Sequence, residues 1–168
     1  MNNRVAIPVM PCITPEFMRF AWERFQLDWH GLHGLAHWRR VCQNGLLLAE
    51  HYDVDTEVIQ WFAFLHDLER QDDYEDLLHG ERAADLAAAI NNTFMGLSRQ
   101  SLALLEFACR GHSDDYTMAD ITVRVCWDAD RLDLGRVGVY PNPHYLCTSK
   151  AREARVIEAA YDRAVVAS

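Results

Sequence analysis

Long apolar runs are missing from this sequence. Stretches such as residues 46–49 fall far short of the roughly 20 apolar residues that cross a bilayer, so a membrane is not an expected partner. Cationic excess is missing too: 16 Lys and Arg stand against 25 Asp and Glu, a formal net charge of −9. An acidic surface repels phosphate backbones, so nucleic-acid polymers are not expected partners either. A small phosphorylated molecule stays admissible, because local cations in a pocket override the global sign. Paired cysteines are absent as well. Cys12, Cys42, Cys109, Cys126 and Cys147 are odd in number and scattered, with no CxxC pair. They read as thiols of a cytosolic protein rather than as a disulfide framework. The opening MNNRVAIPVMPCITPEF is broken by Pro8, Pro11 and Pro15 and lacks a charged segment followed by a continuous apolar one, so no signal peptide is expected.

What is present is the balance of a folded globular protein, with 50% hydrophobic and 24% charged residues in a chain of 168. That length suits one domain with a single core. No repeat, low-complexity tract or dividing linker interrupts it, so residues 1–168 are expected to form one all-α domain of about six to seven helices. Apolar periodicity is helical nearly throughout. Thr14-Pro15-Glu16 predicts a helix start, with Thr as N-cap and Pro at the first helical position. Gly31 and Gly34 interrupt before a longer helix over residues 35–53. Asp53 or Asp55 caps a third helix over residues 56–70, whose all-round apolar character predicts a central position. Residues 70–80 read as a loop, and 81–94 as an Ala-rich helix suited to close packing. Ser98 and Asp120 cap helices over residues 99–113 and 121–135. Pro141 and Pro143 make the next segment irregular, and an amphipathic helix over residues 149–166 closes the chain. It either covers the core or pairs with a second copy in a homo-oligomer.

Eight histidines invite a search for a metal site, and His66-Asp67 at the end of the apolar third helix is the most informative pair. A charged Asp beside an apolar run costs several kcal/mol, on the order of 2–7, unless it is paired or metal-bound. Adjacent helical residues point about 100° apart, so His and Asp can approach one ion from two sides. The pair is equally the end of a helix emerging into water, with His66 favoured there by the helix dipole.

The pair is not alone. LAHWRRV, FLHDLER and DADRLDL follow one another, each on a predicted helix. This order resembles the H…HD…D signature of the HD-domain superfamily, mostly metal-dependent phosphohydrolases with an all-helical core. The resemblance spans about residues 30–135. It implies His37, His66, Asp67 and Asp130 as metal ligands. His33 shares a helical face with His37, but the family pattern sets the ligand just before an Arg-Val pair, which favours His37. Asp128 and Asp133 compete with Asp130, and the A-D-R-L form picks Asp130, with Asp128 in reserve. Members with two metals carry further histidines between the HD pair and the last Asp. By that resemblance His79 and His112 would join Asp67 around a second ion. The ligand set is nitrogen and oxygen without thiolate, which suits Mn, Fe, Co, Ni, Zn or Mg.

The reaction implied is hydrolysis of a nucleotide or another small phosphate ester by a metal-activated water, with Asp67 at its centre. Arg70, Arg82 and Arg131 are candidate clamps for the phosphate. Glu69 and Asp72, just past the HD pair, are candidate general acids or bases. Two other readings share the scaffold: a di-iron oxygenase, and a helical binding module that keeps the metal as a staple. The chain lacks the GYP extension of the cyclic-dinucleotide phosphodiesterases.

Overall fold

The computed structural model describes residues 11–166 apart from 115. Among them the regular elements are helices: α1 Pro15–Arg24, α2 Leu35–Ala49, α3 Thr56–Leu65, α4 His79–Ile90, α5 Arg99–Gly111, α6 Ile121–Arg131 and α7 Ala154–Val166. Short 3-10 turns at Leu134–Val137 and Pro143–Tyr145 link α6 to α7. The fold is therefore all-α, with no strand among the described residues. None of these helices is long and apolar enough to cross a membrane.

The helix starts follow the local chemistry. Thr14 accepts a hydrogen bond from the Phe17 amide, and Pro15 fills the first position of α1, where its missing N–H costs nothing. Asp55 accepts from Glu57 and Val58 at the head of α3, and its second oxygen accepts from Ser101 Oγ at 2.7 Å, tying α3 to the first turn of α5. Ser98 and Asp120 cap α5 and α6 in the same way. Gly34 precedes α2 because the chain folds back on itself there: a Cβ would lie 2.1 Å from the Trp29 carbonyl oxygen.

Helix α3 is the axis of the molecule. Every residue from Val58 to Leu65 is buried, and α2, α5 and α6 pack around it. Trp38, Trp61, Trp127, Phe17, Phe62 and Phe64 fill the space between, each at most 2% exposed. Burying such rings is worth on the order of 2–3 kcal/mol apiece, which makes this layer the main source of stability. The cysteines are free thiols, and burial pushes Cys42 and Cys147 up to about 12, so both stay protonated.

Several expected helices are shorter than their sequence patterns: α2 ends at Ala49, α5 at Gly111 and α6 at Arg131, and α3 and α7 are cut back with the largest effect on the site. Helix α3 stops at Leu65, and residues 66–69 continue as tight turns in which Leu68 and Arg70 donate to Leu65 and Asp67. Helix α7 begins at Ala154 rather than near 149. The reason lies in Asp128, whose carboxylate accepts from the amides of Cys147 and Thr148 and from Thr148 Oγ1, committing that backbone to capping a buried charge.

Candidate metal centre

The tight turns after α3 place the HD pair at the middle of the bundle. His66 caps α3 and donates its ring Nδ1–H to the Phe62 carbonyl at 3.0 Å, with its ring stacked on Phe62. His37, in the first turn of α2 and fully buried, donates Nδ1–H to Asp133 Oδ2 at 2.7 Å. Asp133 in turn accepts from both arms of the Arg40 fork, one turn beyond His37. His112, at the end of α5, donates Nδ1–H to the Cys109 carbonyl at 2.7 Å, and His79, the first residue of α4, donates to the Asp76 carbonyl. A carbonyl or carboxylate oxygen can only accept, so all four rings carry their proton on Nδ1 and present a bare Nε2 lone pair inward.

These lone pairs meet in two couples. His37 and His66 bring Nε2 atoms within 3.0 Å, and His79 and His112 within 2.8 Å. Asp67 stands between the couples. Its Oδ2 lies 3.5 Å from both His37 and His66, and its Oδ1 lies 3.4 Å from His79 and 3.6 Å from His112. Asp130, from α6, brings Oδ1 to 3.4 Å of His37 and 3.7 Å of His66. Neither Asp67 Oδ1 nor Asp130 Oδ1 has a hydrogen-bond partner among the described residues, although both are shielded from solvent. A buried, unpartnered carboxylate oxygen facing nitrogen lone pairs costs several kcal/mol, roughly 2–7, unless a cation occupies the gap. Two sets of atoms are close enough to hold one: His37, His66 and Asp130, and His66, Asp67 and His112. The residues present fit a divalent metal.

The protonation states agree. Burial drives His66 down to about 3, so its ring is neutral. Burial alone would raise the Asp67 and Asp130 carboxyls, but the surrounding histidines, joined at Asp130 by the Arg136 charge, outweigh it and lower both, Asp130 to about 2. Burial and the neighbouring His112 lower His79. For His112 the nearby Asp67 carboxylate outweighs burial and raises it, so a metal binding there would displace a proton. The lowered His66 and His79 rings beside ionised carboxylates are donors that hard and borderline divalent ions take.

The reserve candidates fall outside the cluster. His33 lies between Asp67 Oδ2 at 2.8 Å and the Asp73 carbonyl at 3.2 Å, bracing the carboxylate. Asp128 is consumed by the 147–148 backbone.

Beside the cluster opens a cavity of about 640 Å³ that reaches Asp67, His112 and Asp130. Of the arginines expected there, Arg70 lines it, 3.6 Å from Asp67 Oδ1. Arg131 lines it but is committed, donating to the carbonyls of Tyr145, Asp114 and Tyr116. Arg82 lies elsewhere, clasping the Glu69 carbonyl and Asp76 to hold the 69–76 loop. Glu69 and Asp72, the expected acid–base candidates, do not line the cavity. Glu69 pairs with Arg24, and Asp72 accepts from the Tyr74 and Glu75 amides. The change of path after Leu65 explains this, because the helix that would have carried them past the metal ends before they are reached.

Two residues were not singled out from the sequence. Asp133 was weighed only as a rival ligand; its role in orienting His37 crosses 96 positions and leaves no local trace. Arg136 enters the cavity from the 3-10 turn, with Nη2 4.0 Å from Asp130 Oδ1. Its position depends on how the chain turns after α6.

No family model matches the chain, and no curated protein matches it. Among solved structures it is similar to a predicted HD superfamily hydrolase from an uncultured Thermotogales bacterium. The two share 28% identity with a TM-score of 0.67, over 90% of this chain and 86% of that one. This chain has the HD-domain fold. The ordered histidines and aspartates of the HD pattern are also the residues that converge here, from four helices and the turn after α3.

Proposed function

We propose that this HD-domain protein is a metal-dependent phosphohydrolase acting on a small phosphate ester, with one or two divalent ions held by His37, His66, Asp67, His79, His112 and Asp130. The observation that carries the reading is the convergence of four Nε2 lone pairs on two carboxylates whose Oδ1 atoms have no partner. Asp67 lies between the couples, each oxygen turned to a different one, so its carboxylate would serve both couples if two ions were held. The hydrolase similar to this chain supports the reaction class. A divalent ion held there supplies Lewis-acid polarisation of the phosphoryl group and a stronger water nucleophile at neutral pH.

The protein's own residues do the rest. Arg70 and Arg136 bring positive charge to the cavity beside the carboxylates, where a phosphoryl group is otherwise repelled. Asp133 and Arg40 fix His37, and His33 steadies Asp67, so the ligand atoms are placed before substrate arrives. Leu134, Val139 and Leu146 line the cavity with apolar surface that limits water.

The test is phosphate release by protein saturated in turn with Mn, Fe, Co, Ni, Zn and Mg, with metal content measured on the same samples. Turnover with at least one metal, abolished in a folded Asp67→Asn variant, is the expected result. Full occupancy without phosphate release from any ester would overturn the proposal. Retained iron together with oxygen consumption would instead favour the oxygenase reading.

A further inference from the structure

The cavity is asymmetric in a way that bears on what enters it. Its lining joins Asp67, His112 and Asp130 of the metal-ligand cluster to the chain between α6 and α7, which supplies most of the remaining wall. A bare orthophosphate fills only a small part of about 640 Å³, so most of the space is open to the remainder of the substrate.

The charge available for phosphate is small. Arg131 spends both terminal nitrogens on carbonyls. Arg70 gives Nε to the Asp72 carbonyl and Nη1 to His79, and Arg136 gives Nε to the Leu32 carbonyl and Nη1 to the Asp133 carbonyl. That leaves the Nη2 of Arg70 and the Nη2 of Arg136, the latter 4.0 Å from Asp130 Oδ1, without a hydrogen bond among the described residues. The chain's one lysine, Lys150, lies outside the cavity and pairs with Glu153. Two guanidinium ends match one phosphoryl group, not the charge of a triphosphate chain.

The far wall is aromatic. Tyr140 is 54% exposed and Tyr145 47%, with Val139 and Pro141 beside them. Tyr140 is propped against Tyr161 of α7, ring centroids 5.0 Å apart, so its ring is positioned rather than free to collapse onto the surface. Exposed apolar and aromatic surface inside a concavity marks where a ligand's apolar part lies.

Building on the phosphohydrolase reading, we infer that the substrate is a phosphomonoester whose organic part is planar and largely uncharged, packed on Tyr140 and Tyr145 while its single phosphoryl group faces Arg70, Arg136 and the metal ligands. In the reaction the water oxygen bonds to phosphorus as the ester P–O bond breaks. The water proton passes to the leaving oxygen, giving the free alcohol or phenol and inorganic phosphate. The cavity wall thereby selects against triphosphates and against small aliphatic esters, the former by charge and the latter by lost packing.

The experiment uses the full chain loaded with Mn, turning over phenyl phosphate, glycerol 3-phosphate and ATP. Binding of the non-hydrolysable phenylphosphonate and methylphosphonate is followed by calorimetry. Phenyl phosphate is expected to lead in kcat/KM by about ten-fold or more, the scale of one aromatic contact, and phenylphosphonate to bind tighter than methylphosphonate by a similar factor. Tyr140→Ala should shrink both ratios, chiefly through KM, Tyr145→Ala should act in the same direction, and Tyr140→Phe should keep them. Equal binding of the two phosphonates, preference for ATP or glycerol 3-phosphate, or ratios unmoved by both alanine variants would overturn the inference. Tight, Tyr140-dependent phenylphosphonate binding without phosphate release from any ester would uphold the aromatic pocket and count against the hydrolase reading alone.

Discussion

At the residue scale, the centre depends on protons being in the right places. His37 can offer Nε2 only because Asp133 takes its Nδ1–H, and Asp133 is itself held in place by the fork of Arg40. Asp133→Asn leaves one oxygen to serve both the ring and the guanidinium. Metal affinity should fall by about 10–100-fold, the usual cost of losing such a support, while the fold persists; competition with a chromogenic chelator measures it. Glu69 makes the opposite case. Its carboxylate is engaged by Arg24 outside the cavity, so Glu69→Gln should leave metal content and kcat within about two-fold of the parent, a change below roughly 0.5 kcal/mol. A large loss of kcat would restore it to the reaction.

At the scale of elements, the second histidine couple exists because α4 and α5 cross closely. Gly80 sits beside His79 at that crossing, and a Cβ there would lie 2.5 Å from the Cys109 carbonyl, the same oxygen that fixes the His112 ring. Backbone cannot yield as a side chain can, so Gly80→Ala should push the two helices apart. The expected result is a stability loss of about 1–3 kcal/mol together with loss of metal from the His79–His112 side, read by denaturant unfolding and elemental analysis. A variant that keeps its full metal content would show that the crossing does not set the couple. The cap on α3 is a simpler case. Asp55→Ala removes acceptors for two amides and the Ser101 hydroxyl, and should cost about 1–2 kcal/mol in chemical denaturation without touching the site.

At the scale of the whole molecule, helices from distant parts of the chain point nitrogen lone pairs and carboxylates at one another. That arrangement is repulsive without a cation and cohesive with one. Metal binding should therefore stabilise the native state by about 2.7 kcal/mol at a free concentration a hundred times Kd. A chelator should lower Tm, reversibly, with the helical signal intact below the transition. A Tm indifferent to every divalent ion would count against a metal at this site. Apart from Phe62, which touches His66 and His112, the buried tryptophan and phenylalanine layer around α3 packs against apolar neighbours rather than the ligands, which is why the chelated protein should remain folded.

The sequence alone determined the helical class, the caps at Thr14, Ser98 and Asp120, the choice of Asp53 or Asp55 for α3, and the central burial of α3. Each depends on residues within a few positions of one another. It also picked out the histidines and aspartates that converge, because their order along the chain carries the resemblance to HD proteins. Only the tertiary structure decided which charged neighbours share the cavity. Arg70 and Arg136 reach it, whereas Glu69, Asp72 and Arg82 are drawn into the loop that follows Asp67, and Arg131 is spent on carbonyls. The division has a physical cause. Helix caps and apolar stripes are short-range, but the partner of a charged side chain is set by where α3 stops, where Asp128 halts the start of α7, and which carbonyls those turns leave to be satisfied.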